Sequence, residues 1–469
     1  MKRVLTLLLV LALVFGLCAC GSSGESGGKA SGLQVGYNRQ SITPRGSVPL
    51  AGFANDLQRL SQGFLDNIYT TCVAFTEGDN TVLLFTEDMM GISASLQQNF
   101  CDTVSKATGV PKENIIFCDT HTHYAPSITA KSPEASAYLE LYTAAIVKAA
   151  EEAMADRTSA TLYAANVEVQ GMNFTRHYLQ SDGKITSSNT GNMEEDKVVD
   201  HARVADPEMV LLKAERSGDK KDIMLMNWAA HPCFRGDANS TSVSADFIGT
   251  TRDAFEKQTD MHFAFFQGAS GDVVTDSRLP DKKNDLSCED YGAKLAQYAV
   301  DAMPNMKKLE GKGIQTSRFT LEYALNRLDQ HLLPQAQQVY AVYEQTKSTA
   351  TATKLAKELG LITWTHARGI VNTSSNSGNG NIELNAWNIG GMSFASVPYE
   401  MFSQTGMYIK DNAPTEFTFV LGLANGKTNY VPIAEAYDYG CYESFSAQYA
   451  KGAAEASAEQ LVKMLKDFQ

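Results

Sequence analysis

Asn114-Ile115-Ile116-Phe117-Cys118-Asp119-Thr120-His121-Thr122-His123-Tyr124-Ala125-Pro126 carries an apolar run into two closely spaced histidines and a proline. The run is too short for a helix and reads as a buried strand; the proline stops it from continuing. Upstream, residues 93–108 are predicted helical. Downstream, residues 135–156 are alanine-rich and amphipathic, which also predicts a helix. Residues 33–37 read as a strand. Residues 69–75 and 81–88 read as a hairpin around Glu77-Gly78-Asp79-Asn80. The alternation continues, with strands expected at 161–169, 209–215, 222–230, 263–267 and near 314–323, and helices at 246–256 and 289–303. A single long helix is expected over 333–359, strands at 381–388 and 392–397, and a closing helix over 446–468. This order predicts an α/β fold, a mixed sheet in one catalytic domain spanning residues 33–469.

The N-terminus reads as a sorting signal rather than as part of that domain. Lys2 and Arg3 precede an apolar run over 4–17, shorter than the ~20 residues a membrane span needs. Leu17-Cys18-Ala19-Cys20-Gly21 reads as a bacterial lipobox, so residues 1–20 are expected to be a lipoprotein signal peptide with Cys20 lipidated. An ordinary signal peptide or a simple anchor helix is the competing reading. Residues 21–32 have the Gly/Ser composition of a flexible tether. The expectation is an extracytoplasmic lipoprotein on a bacterial cell membrane. A net charge of −13 argues against nucleic acid as a partner, because phosphate binding needs clustered Lys and Arg. Six cysteines follow the signal without any CxxC pairing, which speaks against a thiolate zinc site and suits buried free thiols.

Four further stretches have the residue types of a hydrolytic centre. His121-x-His123 suits a metal such as zinc, since an extended segment points alternate side chains the same way. A hydrogen-bonded or surface histidine pair explains the motif equally well. Asn227-Trp228-Ala229-Ala230-His231-Pro232 ends an apolar run on a histidine held extended by proline, a suitable ligand or a core histidine. Phe265-Phe266-Gln267-Gly268-Ala269-Ser270-Gly271-Asp272-Val273 places a glycine turn at a strand end, either to face an oxyanion with backbone N–H groups or simply as a tight turn. Val397-Pro398-Tyr399-Glu400-Met401-Phe402 offers a carboxylate ligand or a helix-dipole partner. Asn429-Tyr430-Val431-Pro432 is followed by Tyr437, Tyr439 and Tyr442, a tyrosine density that core packing also explains.

In this order and approximate spacing, these stretches resemble the catalytic domain of the neutral/alkaline ceramidase family. Gly36, Ile42-Thr43-Pro44 and Gly52-Phe53-Ala54 extend the resemblance to the start of the domain. The resemblance implies one zinc ion per chain, held by His121, His231, Glu400 and Tyr430. It implies substrate contacts from His123, Arg176, Tyr439 and Tyr442. The implied activity is hydrolysis of the amide of ceramide or a related N-acyl lipid by metal-activated water. The chain departs from the family in two respects. Val274 stands where ceramide-cleaving members carry serine, and no C-terminal β-sandwich is expected after Tyr430. A zinc hydrolase of another amide or an ester, and a ligand-binding lipoprotein without catalysis, are the alternative readings. Asp272 and Asp246 are candidates for orienting a ligand histidine.

Overall fold

The computed structural model describes residues 32–53, 59–190, 192–236 and 241–469. The signal segment with Cys20, all of the tether except Gly32, and Ala54 lie outside the described residues. Eight strands form the main sheet: β1 (Gln34–Ser41), β2 (Tyr69–Glu77), β3 (Asn80–Glu87), β4 (Ile115–Asp119), β5 (Thr158–Glu168), β6 (Glu208–Arg216), β7 (Ile223–Trp228) and β8 (His262–Gln267). Their spatial order is β8-β7-β6-β5-β1-β2-β3-β4, and the two-residue strand Lys307–Lys308 adds to β5. Only β7–β8 and β3–β4 are parallel pairs. The sheet is therefore mixed, as the sequence predicts.

The two halves of this sheet join through just two residue pairs, Gln34↔Ser159 and Val35↔Thr158. They fold face to face about that seam, and side chains bridge strands from opposite halves. Tyr37 on β1 donates to Phe263 O on β8 at 3.1 Å, and Thr86 on β3 donates to Phe265 O. The strands are buried on both sides, so alternation along them does not separate apolar from polar; it separates two apolar layers. Val73, Phe75, Leu84 and Ile116 face Val210, Leu212, Ile223 and Phe266 in the central core. Their neighbours Cys72, Ala74, Phe85 and Phe117 face outward onto α1 (Ala94–Thr108) and α2 (Pro133–Ala155). Met209, Leu211, Met226 and Phe265 face outward onto α3 (Phe247–Thr259) and α4 (Cys288–Ala302). The result is a four-layer α/β/β/α arrangement.

The rest of the chain closes one end of this sandwich. Its strands are β9 (Ile314–Ala324), β10 (Asn379–Ile389), β11 (Met392–Ser396), β12 (Tyr399–Met401), β13 (Thr418–Leu421) and β14 (Thr428–Val431). A second sheet runs β9-β10-β11-β13, and Trp387, Phe394 and Phe419 from it enter the central core. β12 and β14 form a separate parallel pair that sets Glu400 opposite Tyr430.

Two helix expectations are corrected. The single helix over 333–359 is two helices, α5 (Leu333–Thr346) and α6 (Thr349–Glu358). Lys347 takes a left-handed φ of 51°, and the Ser348 hydroxyl caps the second helix by accepting from Thr351 N. The C-terminal helix begins at Ala453, after two short helical turns, Ala434–Tyr439 and Tyr442–Phe445. A further helix, α7 (Trp364–Thr373), falls in a stretch with no sequence assignment. The six cysteines are free thiols, five of them buried. No helix among the described residues is long and apolar enough to cross a membrane.

Candidate metal centre

The loops leaving β4, β7 and β8 meet beside the β12–β14 pair. Gln267, at the end of β8, joins the first two: its side-chain amide donates to Thr120 O at 3.0 Å and to Ala230 O at 2.9 Å. These carbonyls immediately precede His121 and His231, so one buried side chain sets both histidine loops. The sequence reading assigns no role to Gln267. Its clue was a buried amide at the end of an apolar strand, a group that needs several partners.

His121 and His123 converge differently from the expected extended segment. β4 ends at Asp119, and His121 has φ 70°, a left-handed conformation that side chains with a Cβ rarely adopt. Two bonds hold it there: His121 N donates to Met89 O at 2.9 Å, and Nδ1 lies 2.6 Å from Met90 O. A bend, rather than strand alternation, brings the two imidazoles to an Nε2···Nε2 distance of 3.4 Å. Gly52, with φ +111°, lies against the backbone of His123. A Cβ there would sit 2.6 Å from His123 Cα, so only glycine fits.

The carbonyl contacts settle the tautomers. Met90 O can only accept, so His121 Nδ1 carries the proton and Nε2 presents a lone pair. Ser270 O, 2.8 Å from His231 Nδ1, does the same for His231. The orienting partners are therefore backbone carbonyls, not Asp272 or Asp246. Asp272 accepts from Ser403 N, and Asp246 accepts from Phe247 N at the start of α3. The amides of Gly268 and Gly271 are engaged by Trp228 O and Met401 O, so the glycine turn contributes its carbonyls to the site. Val274 lies in a two-residue ladder with Phe174.

Glu400 Oε2 lies 3.3 Å from His121 Nε2 and 3.4 Å from His231 Nε2. Glu400 sits within β12 rather than at a helix start, which removes the helix-dipole reading. His231 Nε2 and Glu400 Oε2 are both buried without a hydrogen-bond partner. Buried polar atoms left unpaired are costly, and here they point at a common centre, as ligand atoms of a divalent cation do. The nitrogen and oxygen donor set fits zinc. His121, His123 and His231 offer ring nitrogens within 4.8 Å of one another. Burial, reinforced by the neighbouring His121 and His231, holds His123 well below the ordinary histidine value. Burial also brings His231 down to about 4. Burial opposes the Glu400 charge, but His121 and His231 outweigh it and the carboxyl falls well below its usual range.

Behind this centre lies a second buried knot. Arg176 donates to Glu443 at 2.6 Å, to Gly271 O at 2.8 Å and to the Tyr430 hydroxyl at 3.2 Å. Glu443 accepts from His177 Nε2 at 3.0 Å, and the Tyr439 hydroxyl lies 2.7 Å from His177 Nδ1. His177, Cys441 and Glu443 also cluster closely enough to hold a metal. Their polar atoms, however, are already hydrogen-bonded to one another and to neighbours. Of the residues assigned by resemblance, His121, His123, Glu400, Tyr430 and Tyr442 line one cavity of about 520 Å³. His231 packs against His121 with ring centroids 4.8 Å apart. Arg176 and Tyr439 do not line that cavity; Arg176 reaches it through the Tyr430 hydroxyl, and Tyr439 joins the knot through His177. Arg368 and Lys427 do line it, and the sequence reading assigns neither.

A family model, "Neutral/alkaline non-lysosomal ceramidase, N-terminal", matches residues 33–290, more than half of the chain. The chain belongs to that family. Among solved structures, this ceramidase-family protein is similar to neutral ceramidase from Pseudomonas aeruginosa. That match has 16% identity and a TM-score of 0.67 over 93% of this chain and 74% of the other. A structure described as a ceramidase complexed with C2 gives 15% identity and a TM-score of 0.67 over 93% and 75%. At such identities the likeness speaks for the fold. It carries that fold past residue 290 to the segments bearing Glu400 and Tyr430. No protein of curated function matches the sequence.

Proposed function

We propose that the protein is a zinc-dependent amidohydrolase that cleaves the amide of an N-acyl lipid, with ceramide the member its family name designates. The observation that carries this reading is the convergence of the unpartnered His231 Nε2 and Glu400 Oε2 on His121 at a cavity. His121, His231, Glu400 and Tyr430 are the residues to hold the ion. A divalent ion so held supplies a Lewis acid that lowers the pKa of water and polarises an acyl carbonyl. Hydrolysis joins the oxygen of water to the acyl carbon, breaks the C–N bond and delivers a proton to the amine nitrogen. His123, which lines the cavity with its Nε2 3.4 Å from His121 Nε2, is the group placed to take and return that proton. The Tyr442 hydroxyl, beside Tyr430 at a ring separation of 5.7 Å, steadies the developing oxyanion. Arg176 acts through the Tyr430 hydroxyl as a positioning residue.

The test is hydrolysis of a short-chain fluorescent ceramide by the full chain before and after chelation. Loss of fatty-acid release on chelation, with recovery on adding zinc, is the expected outcome. Undiminished release from protein verified as metal-free contradicts the reading.

We also place the protein outside the cytoplasm, held to a membrane by acylation at Cys20. The lipobox sequence supports this location. Metabolic labelling with radioactive palmitate should mark the wild-type chain and leave Cys20→Ser unlabelled. Equal labelling of both rules out Cys20 as the anchor.

A further inference from the structure

We infer that the substrate carries an anionic group, a carboxylate or a phosphate, near its scissile amide, and that Arg368 and Lys427 receive it. This rests on the amidohydrolase reading above and moves the preferred substrate from neutral ceramide to an anionic N-acyl amide. Both cations line the cavity that holds His121, His123 and Glu400. Both are half-buried, where an unpaired charge is costly.

Several other buried arginines are neutralised directly: Arg39, Arg176 and Arg252 each meet a carboxylate, at 2.8, 2.6 and 2.9 Å, whereas the partly buried Arg157 bonds Met154 O and Thr76 instead. The Arg368 guanidinium lies over the Trp364 ring, 5.4 Å from its centroid, and the Lys427 ammonium meets the Met90 sulfur. Neither forms an ion pair with a carboxylate among the described residues. Glu400 is the carboxylate of this cavity and is turned toward His121 and His231, so two cations without an ion-pair partner in one concave site form an anion receptor.

The local sequence holds this receptor rigidly. Arg368 and Asn372 stand one turn apart on α7, and Asn376 follows by the same interval just beyond its end, so all three reach the cavity. α7 is pressed against the 442–445 turn. A Cβ on Gly369 would sit 2.3 Å from Phe445 O, and His366 stacks on the Phe445 ring with centroids 4.6 Å apart. Lys427 lies directly before β14, which presents Tyr430. The cation pair is thus fixed to the same elements as the proposed catalytic groups. The remaining wall is rich in amides, including Asn429 and Gln448. Its wholly apolar side chains are Met90, Phe445 and Ala447, which is little cover for two hydrocarbon chains.

Three octanoyl amides of matched reach test this on the zinc-loaded full chain: N-octanoylethanolamine, which is neutral; N-octanoylglycine, a carboxylate; and O-phospho-N-octanoylethanolamine, a phosphate. We expect kcat/KM for at least one anionic amide to exceed that of the neutral one about ten- to a hundredfold, the range of a charge-assisted contact. The better anion identifies which group the site reads. The double substitution Arg368→Gln with Lys427→Gln should collapse this ratio toward unity while leaving the melting temperature close to wild type. Equal kcat/KM for all three amides, or a ratio that survives the double substitution, overturns the inference and leaves the amidohydrolase reading standing. If no amide is hydrolysed, the amidohydrolase reading fails. Calorimetric binding of N-octanoylglycine then decides the receptor: weaker binding by the double variant supports it, and equal binding overturns it.

Discussion

His121→Ala is expected to release the metal and to lower amide hydrolysis about a thousandfold or more. A Lewis acid supplies several kcal/mol of transition-state charge stabilisation, at about 1.4 kcal/mol per tenfold in rate. His121 is central because its Nε2 lies 3.3 Å from Glu400 and 3.4 Å from His123 Nε2. Alanine keeps the Cβ in the left-handed conformation and gives up the Nδ1 contact to Met90 O, so the melting temperature of the variant is measured alongside to separate lost metal from lost fold. Inductively coupled plasma mass spectrometry on the purified variant, paired with a rate measurement, checks both parts. Full activity in a variant without metal would show that the histidines do not serve the reaction through a metal.

Glu443→Ala is the second large effect, and it should appear as lost stability. Glu443 is fully buried between Arg176 and His177. Removing one partner of a buried pair leaves an uncompensated charge and costs about 3–5 kcal/mol. Burial alone would raise the Glu443 carboxyl, but Arg176 and His177 outweigh it and hold it far below its usual value. Its folded value lies below the unfolded one. The stabilisation is therefore complete above the unfolded carboxyl value of about 4.3 and is lost as the pH falls through the depressed folded value. Urea denaturation of the metal-free proteins at neutral pH measures the difference, and repeating it at progressively lower pH should narrow the gap. A variant within about 0.5 kcal/mol of wild type would mean that Arg176 finds another partner.

Much of the fold was legible because apolar runs and turn residues mark its elements locally. The hairpin around Gly78 and the strand before His121 follow from such signals. Both-sided burial hid the layering, since Val73 and Cys72 look alike in sequence yet face different layers. The break at Lys347 was hidden because a lysine in a left-handed turn has no strong sequence mark. The five motifs converge in space through long-range bonds such as those of Gln267. Spacing along the chain does not encode such bonds. Arg176 and Tyr439 were expected to contact substrate only through the resemblance to the ceramidase family, not from any local sequence signal. The structure turns both into the knot around Glu443. Arg368, Asn372 and Asn376 carried a readable period of four, but no helix is assigned to that stretch from sequence.

The most direct test of the metal centre is an anomalous difference map at the zinc absorption edge, from crystals of the full chain grown with zinc. The account predicts one strong peak among His121 Nε2, His231 Nε2, Glu400 and Tyr430. A peak at His177 and Glu443 instead, or none in a crystal that binds zinc at its surface, would contradict it.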